Sequence, residues 1–285
     1  MRQNTALVLE GGSLRCMFTA GVLDAFLDWK ESFGCVAGVS AGSLSGINFV
    51  AGQRGRTERV NVRFVNDDRY LGMKSLLRHR SIFNFDFLFG EISDELEPFN
   101  RETFLNSPTR YVAFTTDIQT GESVAHEKGV SEDILLAARA SSSMPLLAPI
   151  VRVDGRLCLD GGMAMPVPYR WPMEQGYEKL VVVLTQAEGY RKKPVTGTMA
   201  RVIARRYRRY PALVESLLTR PERYNAQREE IESLAREGKL FIIRPDRPVT
   251  VSRVEKDVGK LLSLYREGLR VAASQRGALM EYLNA

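Results

Sequence analysis

The stretch from Phe33 to Gly52, FGCVAGVSAGSLSGINFVAG, constrains this chain more than any other. Phe33 to Val39 is short and apolar and reads as a buried strand. Ser43 to Val50 carries Leu44, Ile47 and Val50 at helical spacing. Between them, Gly38-Val39-Ser40-Ala41-Gly42 is the G-x-S-x-G pattern of a nucleophile elbow. A turn this sharp strains the backbone of Ser40 and aims its Oγ into an open cleft, and Gly38 and Gly42 lack the Cβ atoms that would clash there. The helix that follows points its positive end at any anion forming on Ser40. Glycines and serines share many turns, so the bland alternative is a tight strand-to-helix connection. The flanking strand and helix favour the functional reading.

The chain has 285 residues, enough for one large α/β domain or two small ones, and its 44% apolar content supports a sizeable core. No apolar run is long enough to span a bilayer, and the N-terminal MRQNTALVLEGG lacks the charged and apolar regions of a signal peptide. Cys16, Cys35 and Cys158 are odd in number and sit among small or apolar neighbours, which predicts buried free thiols in a reducing compartment. The chain has only two histidines, His79 and His126, which nearly exhausts the options for a histidine base or a histidine-rich metal site. The net charge of +6 is local: Gly189 to Tyr224 holds ten Lys/Arg against Glu215 and Glu222, leaving the remainder slightly acidic.

In chain order, Thr5 to Glu10 reads as a strand, Gly11-Gly12-Ser13-Leu14-Arg15-Cys16 as a glycine turn, and Phe18 to Trp29 as a helix. Such a turn offers backbone N–H groups to an anion. It has neither the G-K-[ST] ending of a P-loop nor the G-x-G-x-x-G spacing of a dinucleotide site. Taken alone it is a plain βα loop. Gln53 to Arg80 reads as arginine-rich and helical. Ser81 to Phe89 is densely aromatic, either core or the lining of an acyl-chain cleft. Arg110 to Ile118 is a strand, and Gly121 to His126 its hairpin partner or an edge strand. Glu132 to Ala140 is a helix ended by Ser141-Ser142-Ser143-Met144-Pro145. Asp154-Gly155 is a strong hairpin turn signal between Ile150–Val153 and Arg156–Leu159, and it leads to Asp160-Gly161-Gly162. Lys179 to Thr185 is a buried parallel strand. A basic helical region over Thr198–Leu218, broken near Pro211, precedes a charged helix at Glu222–Arg236. A last strand at Leu240–Arg244 and a long or broken helix over Ser252–Leu283 follow. Strands alternating with helices argue for one mostly parallel sheet covered on both faces.

A serine nucleophile needs a base for its proton and donors for the oxyanion. No histidine follows His126, so the chain order Ser, Asp, His is excluded. His79, in LRHRS, and His126, beside Glu127 and Lys128, both read as solvated surface residues. The remaining base is a carboxylate. Asp160 closes a strand, and the two glycines after it permit close backbone approach. An aspartate serves directly if it is desolvated and touches the hydroxyl. The bland alternative is an Asx-turn residue closing a hairpin.

Together, a strand followed by Gly11-Gly12-Ser13-Leu14-Arg15, then Gly38-Val39-Ser40-Ala41-Gly42, then Asp160-Gly161-Gly162 after Ser-Ser-Met-Pro resemble the patatin-like phospholipase family. The VVVLT strand and the YRKKP segment resemble its bacterial branch. The resemblance implies a three-layer α/β/α fold with a central, mostly parallel sheet and a Ser–Asp dyad without histidine. It implies hydrolysis of lipid acyl esters with no cofactor. On this reading residues 1–285 form a single domain, with a motif core over about 5–185 and a basic, helical region over about 190–285 packed on it. Ser40 would be the nucleophile and Asp160 the base. Gly11, Gly12, Ser13 and Arg15 would form the oxyanion hole, and Gly38, Gly42, Gly161 and Gly162 would shape the turns. Ser13 and Cys16 stand where the family usually has glycine. At positive φ, Ser13 would carry a cost of about 1–2 kcal/mol and put catalytic strength in question.

Two functional classes follow: a serine acyl hydrolase acting on a phospholipid, lysophospholipid or simple ester, and a weakly active or inactive lipid- or membrane-binding protein that keeps the fold. No metal or calcium loop is indicated, and no nucleic-acid reader motif accompanies the arginines. The apolar residues Val202, Ile203, Tyr207, Tyr210, Val214 and Leu217 recur at helix-like spacing beside Arg201, Arg205, Arg206, Arg208 and Arg209. The bland reading is an amphipathic helix with a solvated basic face. The functional one is peripheral contact with an anionic membrane surface. The expected location is the cytoplasm, with contact at the inner membrane face as a further option.

Overall fold

The computed structural model describes residues 2–285. The strands are β1 (Arg2–Leu9), β2 (Phe33–Val39), β3 (Arg110–Asp117), β4 (Ser123–Glu127), β5 (Val151–Val153), β6 (Arg156–Asp160), β7 (Lys179–Val183) and β8 (Phe241–Ile243). The helices are α1 (Met17–Asp28), α2 (Ala41–Val50), α3 (Arg56–Phe64), α4 (Met73–His79), α5 (Phe85–Phe87), α6 (Arg101–Asn106), α7 (Ile134–Ser141), α8 (Arg170–Glu174), α9 (Gly197–Arg206), α10 (Pro211–Arg236) and α11 (Val258–Asn284).

The sheet follows the order β5-β6-β3-β2-β1-β7-β8, with β4 also paired to β3. The β3-β2-β1-β7-β8 core is parallel, and β4, β5 and β6 join antiparallel. Both faces are covered, so Ala6–Leu9 of β1 and Leu180–Val183 of β7 are continuously apolar rather than alternating. Leu7, Leu9, Phe33 and Val36 face a core built with α1, α2, α3, α7 and α11. Ala6, Val8, Cys35 and Ala37 face the opposite core, closed by Tyr169 and by Ile231 of α10. This is the three-layer α/β/α arrangement expected from the alternation of strands and helices. No helix among the described residues is long and apolar enough to cross a membrane.

The register of β3 positions the site. Val112, Ala113 and Phe114 pair at once with β2 and β4, so those strands lie on opposite edges of β3. Thr115 pairs at once with Val124 of β4 and Asp160 of β6, so β6 lies on the edge of β2. β2 and β6 therefore meet end to end along one side of β3. Val39, the last residue of β2, is opposite Phe114, and Asp160, the last of β6, is opposite Thr115. Adjacent residues of one strand thus bring Asp160 to Ser40, the residue after Val39, across 120 residues of sequence.

Two stretches differ from the sequence reading. The Gln53–Arg80 region is two helices, because Asp67 captures the Arg69 N–H at 2.8 Å in a turn and Gly72 follows at φ +129°. In the C-terminal third, α10 runs unbroken from Pro211 through Pro221 to Arg236. Pro211 suits a first helical position. Pro221 is tolerated because it belongs to a buried stripe with Leu217, Tyr224, Arg228 and Ile231. Tertiary burial outweighs the one backbone hydrogen bond it removes.

Candidate active site

Ser40 leaves β2 at φ +54°, ψ −131°. A serine in this region costs about 1–3 kcal/mol and persists only where its surroundings over-determine it. They do so here. Ser141 Oγ accepts from the Ser40 N–H at 2.8 Å and donates to the Phe114 carbonyl at 2.6 Å. The Ser40 carbonyl accepts from the Ser43 N–H, the Leu44 N–H and Ser43 Oγ. A Cβ on Gly38 would lie 2.7 Å from Ser43 Cα, and one on Gly42 would lie 2.6 Å from the Leu9 carbonyl. The glycines that the sequence places around the elbow are thus required for close approach. Ser141, which the sequence offers only as one of a serine run, is the brace that sequence reasoning missed.

Ser40 Oγ donates to Asp160 Oδ2 at 2.8 Å, and the Gly162 N–H donates to Asp160 Oδ1 at 2.8 Å. Both side chains are buried, Ser40 at 8% and Asp160 at 4% exposure. A Cβ on Gly161 would fall 2.0 Å from the Phe114 carbonyl, so only glycine lets the chain after β6 close onto β3. Burial raises the Asp160 pKa above the ordinary aspartate value. The Ser40 hydroxyl, Arg220, the Gly162 N–H and Arg253 oppose that rise. The result is a carboxylate that is desolvated, in contact with a hydroxyl, and made more basic by its surroundings.

The first glycine turn packs against this pair. A Cβ on Gly11 would stand 2.9 Å from Ser40 Cβ. The N–H groups of Gly11, Gly12 and Ser13 have no acceptor among the described residues. Ser13 adopts φ +53°, so the strain considered at this position is present. Its hydroxyl has a further task that the sequence did not disclose, donating to the Arg253 carbonyl at 2.5 Å. Arg15 Nε donates to the Val251 carbonyl at 3.2 Å. The buried Cys16 thiol, pushed up to about 12 by burial and then by Glu10, is inert at neutral pH.

Two clefts meet at Ser40. One, of about 890 Å³, is lined by Met17, Leu44, Ile47, Val60, Phe83, Phe85 and Phe89 among others, and it reaches Arg56. Arg56 is held by the Glu97 carbonyl, Asn48 and Ser93 at 2.8–3.0 Å. The aromatic stretch 81–89 therefore serves as cleft wall as well as core. The other cleft, of about 1040 Å³, contains Asp160, the first glycine turn, Arg15, Lys192, Arg220 and Arg253.

The histidines lie elsewhere. His79 is exposed on α4. His126 is not the solvated residue its neighbours suggested: it is 2% exposed, with Nδ1 2.7 Å from Asp154 and Nε2 2.9 Å from Thr115 Oγ1. The alternation of β4 turns it inward while Glu127 beside it pairs with Arg110. It lines neither cleft. All three cysteines are buried and free.

A doubly covered, mostly parallel sheet, with a strained serine at a strand-to-helix turn and an aspartate bonded to it, defines an α/β/α protein of the nucleophile-elbow class. More particularly, the chain belongs to the patatin-like phospholipase family, whose model, Patatin-like phospholipase, matches residues 7–171. A second model, Domain of unknown function (DUF6363), matches residues 210–284. Among curated proteins, the Uncharacterized protein YjjU of Escherichia coli K12 is 28% identical over 186 residues, covering 63% of this chain and 51% of that one. The Uncharacterized NTE family protein Rv1063c of Mycobacterium tuberculosis H37Rv is 29% identical over 171 residues, covering 57% and 44%. The chain thus spans about half the length of the curated relatives it matches. Among solved structures, VipD from Legionella pneumophila superposes with a TM-score of 0.52 at 12% identity, over 99% of this chain and 67% of that one, a likeness of fold.

Proposed function

We propose that the protein hydrolyses acyl esters of lipids through an acyl-enzyme on Ser40, with Asp160 as the base. The observation that carries this reading is the 2.8 Å hydrogen bond from Ser40 Oγ to a buried carboxylate, at the head of an apolar cleft. Ser40 Oγ attacks the ester carbonyl while its proton passes to Asp160 Oδ2. The carbonyl oxygen becomes an oxyanion beside the free N–H groups of Gly11, Gly12 and Ser13 and the positive end of α2. Collapse expels the alcohol, which takes the proton from Asp160. Water then gives its proton to the same carboxylate and attacks the acyl carbon. The fatty acid leaves, and the proton returns to Ser40. The apolar cleft suits the acyl chain.

The strain at Ser13 supports the second reading, a lipid-binding protein of weak activity. A fluorophosphonate probe separates the two. The wild type is expected to be labelled on Ser40 and the Ser40→Ala variant not at all. An unlabelled wild type, folded by circular dichroism, would sink the hydrolase reading.

The reading extends to an anionic membrane surface. Arg201, Arg205, Arg206, Arg208 and Arg209 are all exposed, and none has a carboxylate within 4.0 Å among the described residues. Met199 and Val202, beside them, are 54% and 45% exposed. On the inner side of α9, Ile203 lines the second cleft, and just past the end of the helix Tyr207 Oη accepts from the Leu146 N–H at 2.8 Å. The basic face therefore adjoins the cleft that holds Ser40. Each arginine near an anionic bilayer contributes about 1 kcal/mol. Binding to anionic vesicles is expected to fall steeply with salt, and reversing Arg205, Arg208 and Arg209 to Glu to lower activity on vesicles while sparing a small soluble ester. Equal losses on both substrates would reduce α9 to a solvated helix.

A further inference from the structure

The apolar cleft ends on a charge. It runs along α2, where Ala41, Leu44, Ser45 and Asn48 share the face that lines it. Asn48 lies about two turns past Ser40, or about 12 Å along the axis. Apolar and aromatic side chains, Leu44, Val60, Phe85 and Phe89 among them, make up most of the walls. At the Asn48 end the lining turns polar, with Arg56, Thr57, Asn61, Tyr70 and Ser93. The neutral members satisfy one another. Asn48 Nδ2 donates to Thr57 Oγ1 at 2.8 Å, Asn61 Nδ2 to the Thr57 carbonyl at 2.8 Å, and Tyr70 Oη to Asn61 Oδ1 at 3.2 Å.

Arg56 is the exception. It is 5% exposed, and it has no carboxylate within 4.0 Å among the described residues. Glu97 gives it only a backbone carbonyl, because the Glu97 side chain is taken by Arg59 at 3.0 Å and Arg63 at 3.4 Å. Its other acceptors are Asn48 Oδ1 and Ser93 Oγ, and the Phe99 ring centre lies 5.3 Å from its guanidinium carbon. All of these partners are neutral. Each terminal nitrogen keeps an N–H with no acceptor among the described residues. Arginines are almost never buried so fully without an anion. Burial lowers the Arg56 pKa to about 10, against the pull of Glu97, so the charge survives at neutral pH. A brace between α3 and segment 93–97 accounts for the three hydrogen bonds, but not for an unpaired charge facing a cleft.

We propose that this end of the cleft binds an anion carried by the acyl chain itself, and that Arg56 is the residue that selects it. The substrate class is then an ester whose acyl group ends in a carboxylate, the half-ester of a dicarboxylic acid. The inference rests on the hydrolase reading only for which end of the chain lies at Ser40. A single guanidinium with a spare N–H on each terminal nitrogen matches a single carboxylate, which accepts charge-assisted hydrogen bonds from both. Distance sets the length: an extended chain of about ten carbons covers the stretch from Ser40 to Asn48. A plain hydrocarbon chain of that length would press a methyl group against the guanidinium and leave its charge without a partner, which costs free energy. The preference therefore has the opposite sign from that of a wholly apolar cleft, where a terminal carboxylate weakens binding.

The test is binding to the Ser40→Ala protein, which cannot turn over its ligand. Titrations would compare the monomethyl ester of decanedioic acid with methyl decanoate, below their aggregation limits. The acid is expected to bind about tenfold more tightly, the order of a hydrogen bond to a charged group. Adding Arg56→Met is expected to reverse the order, and Arg56→Lys to keep part of the preference. A length series on the protein with Arg56 intact covers the case in which Arg56→Met unfolds. The same ratio, taken with the monomethyl ester of hexanedioic acid against methyl hexanoate, is expected to fall to about unity, because the shorter chain cannot reach Arg56 from Ser40. Methyl decanoate binding as tightly as the acid would overturn the proposal. So would a ratio equal at both lengths, or one that persists in folded Arg56→Met, which would place the anion at the cations of the other cleft. Since the readout is binding, a wild type that hydrolyses neither ester while the ratio persists would refute the Ser40 chemistry and leave the assignment of Arg56 standing.

Discussion

Asp160→Asn is expected to lower kcat on any accepted ester by 10²–10⁴-fold, the usual order for loss of a positioned general base. The amide keeps the size and an acceptor oxygen for the Gly162 N–H but cannot take the Ser40 proton. His126→Gln is expected to leave kcat of the folded protein unchanged, because His126 lines neither cleft and spends both ring nitrogens on Thr115 and Asp154. The converse pattern, with activity kept in the aspartate variant and lost in the histidine one, would refute the dyad. The pH dependence follows from the raised pKa of Asp160. On the proposed mechanism Asp160 acts in its ionised form, so activity is expected to fall as pH falls through that pKa, at a limb above the ordinary aspartate range. Arg220 lowers this pKa, so Arg220→Gln is expected to move the limb to higher pH. The stability effect runs the other way. A carboxyl whose pKa is raised by folding stabilises the fold below its unfolded pKa, and that contribution is lost as pH rises through the folded value. Asp160→Asn is therefore expected to melt no lower than wild type at neutral pH, and any gain over wild type to vanish in acid.

Gly268→Ala is expected to destabilise the fold by about 3 kcal/mol, the upper end of the usual cost of overpacking. Helix propensity alone predicts the opposite sign, since alanine is favoured over glycine inside a helix by about 1 kcal/mol. Packing wins because a Cβ at Gly268 of α11 would sit 2.1 Å from the Phe18 carbonyl of α1. The contact is reciprocal: a Cβ at Gly21 of α1 would sit 2.1 Å from the Tyr265 carbonyl of α11. Neither obstacle is a side chain that can swing away. Gly21→Ala is expected to cost as much, and the double variant less than the sum, because α11 has already been displaced by the first change. The control is Gly277 on the same helix, exposed and with nothing within 4 Å of its would-be Cβ. There alanine is expected to stabilise by up to about 1 kcal/mol. Urea melts of the four variants decide the matter, and a Gly268→Ala that behaves like Gly277→Ala would mean that the two helices are not locked at this point.

What the sequence disclosed was whatever is written locally. The elbow, the Asp-Gly hairpin and the buried strands each occupy a few consecutive residues whose types dictate their geometry. Asp154 and Gly155 do adopt positive φ, at +48° and +76°. What it concealed depends on contacts between distant segments. His126 looked solvated because its neighbours are charged, yet strand alternation buries it. Ser141 looked like the end of a helix, yet it holds the Ser40 N–H from 101 residues away. The helices read at Thr198–Leu218 and Glu222–Arg236 looked separate, yet burial of Pro221 with Tyr224 and Ile231 carries α10 through the gap between them. Arg220 and Arg253 carried no signal, since nothing near them in sequence reports that they face Ser40's cleft.

The end-to-end meeting of β2 and β6 on one edge of β3 makes that strand a gauge. The gap between Ser40 and Asp160 is set by a single residue step, about 3.3 Å, rather than by the path of the chain between them. Loop length between the two is then a neutral variable. The turn around Gly129 and Val130, exposed and far from the gauge in sequence, can lengthen without altering the gap. A one-residue slip of β6 against β3 cannot be absorbed in this way, because it would turn the carboxylate to the opposite face of the sheet. Natural variation in such a chain should therefore gather in the connections and spare the pairing of Phe114 and Thr115.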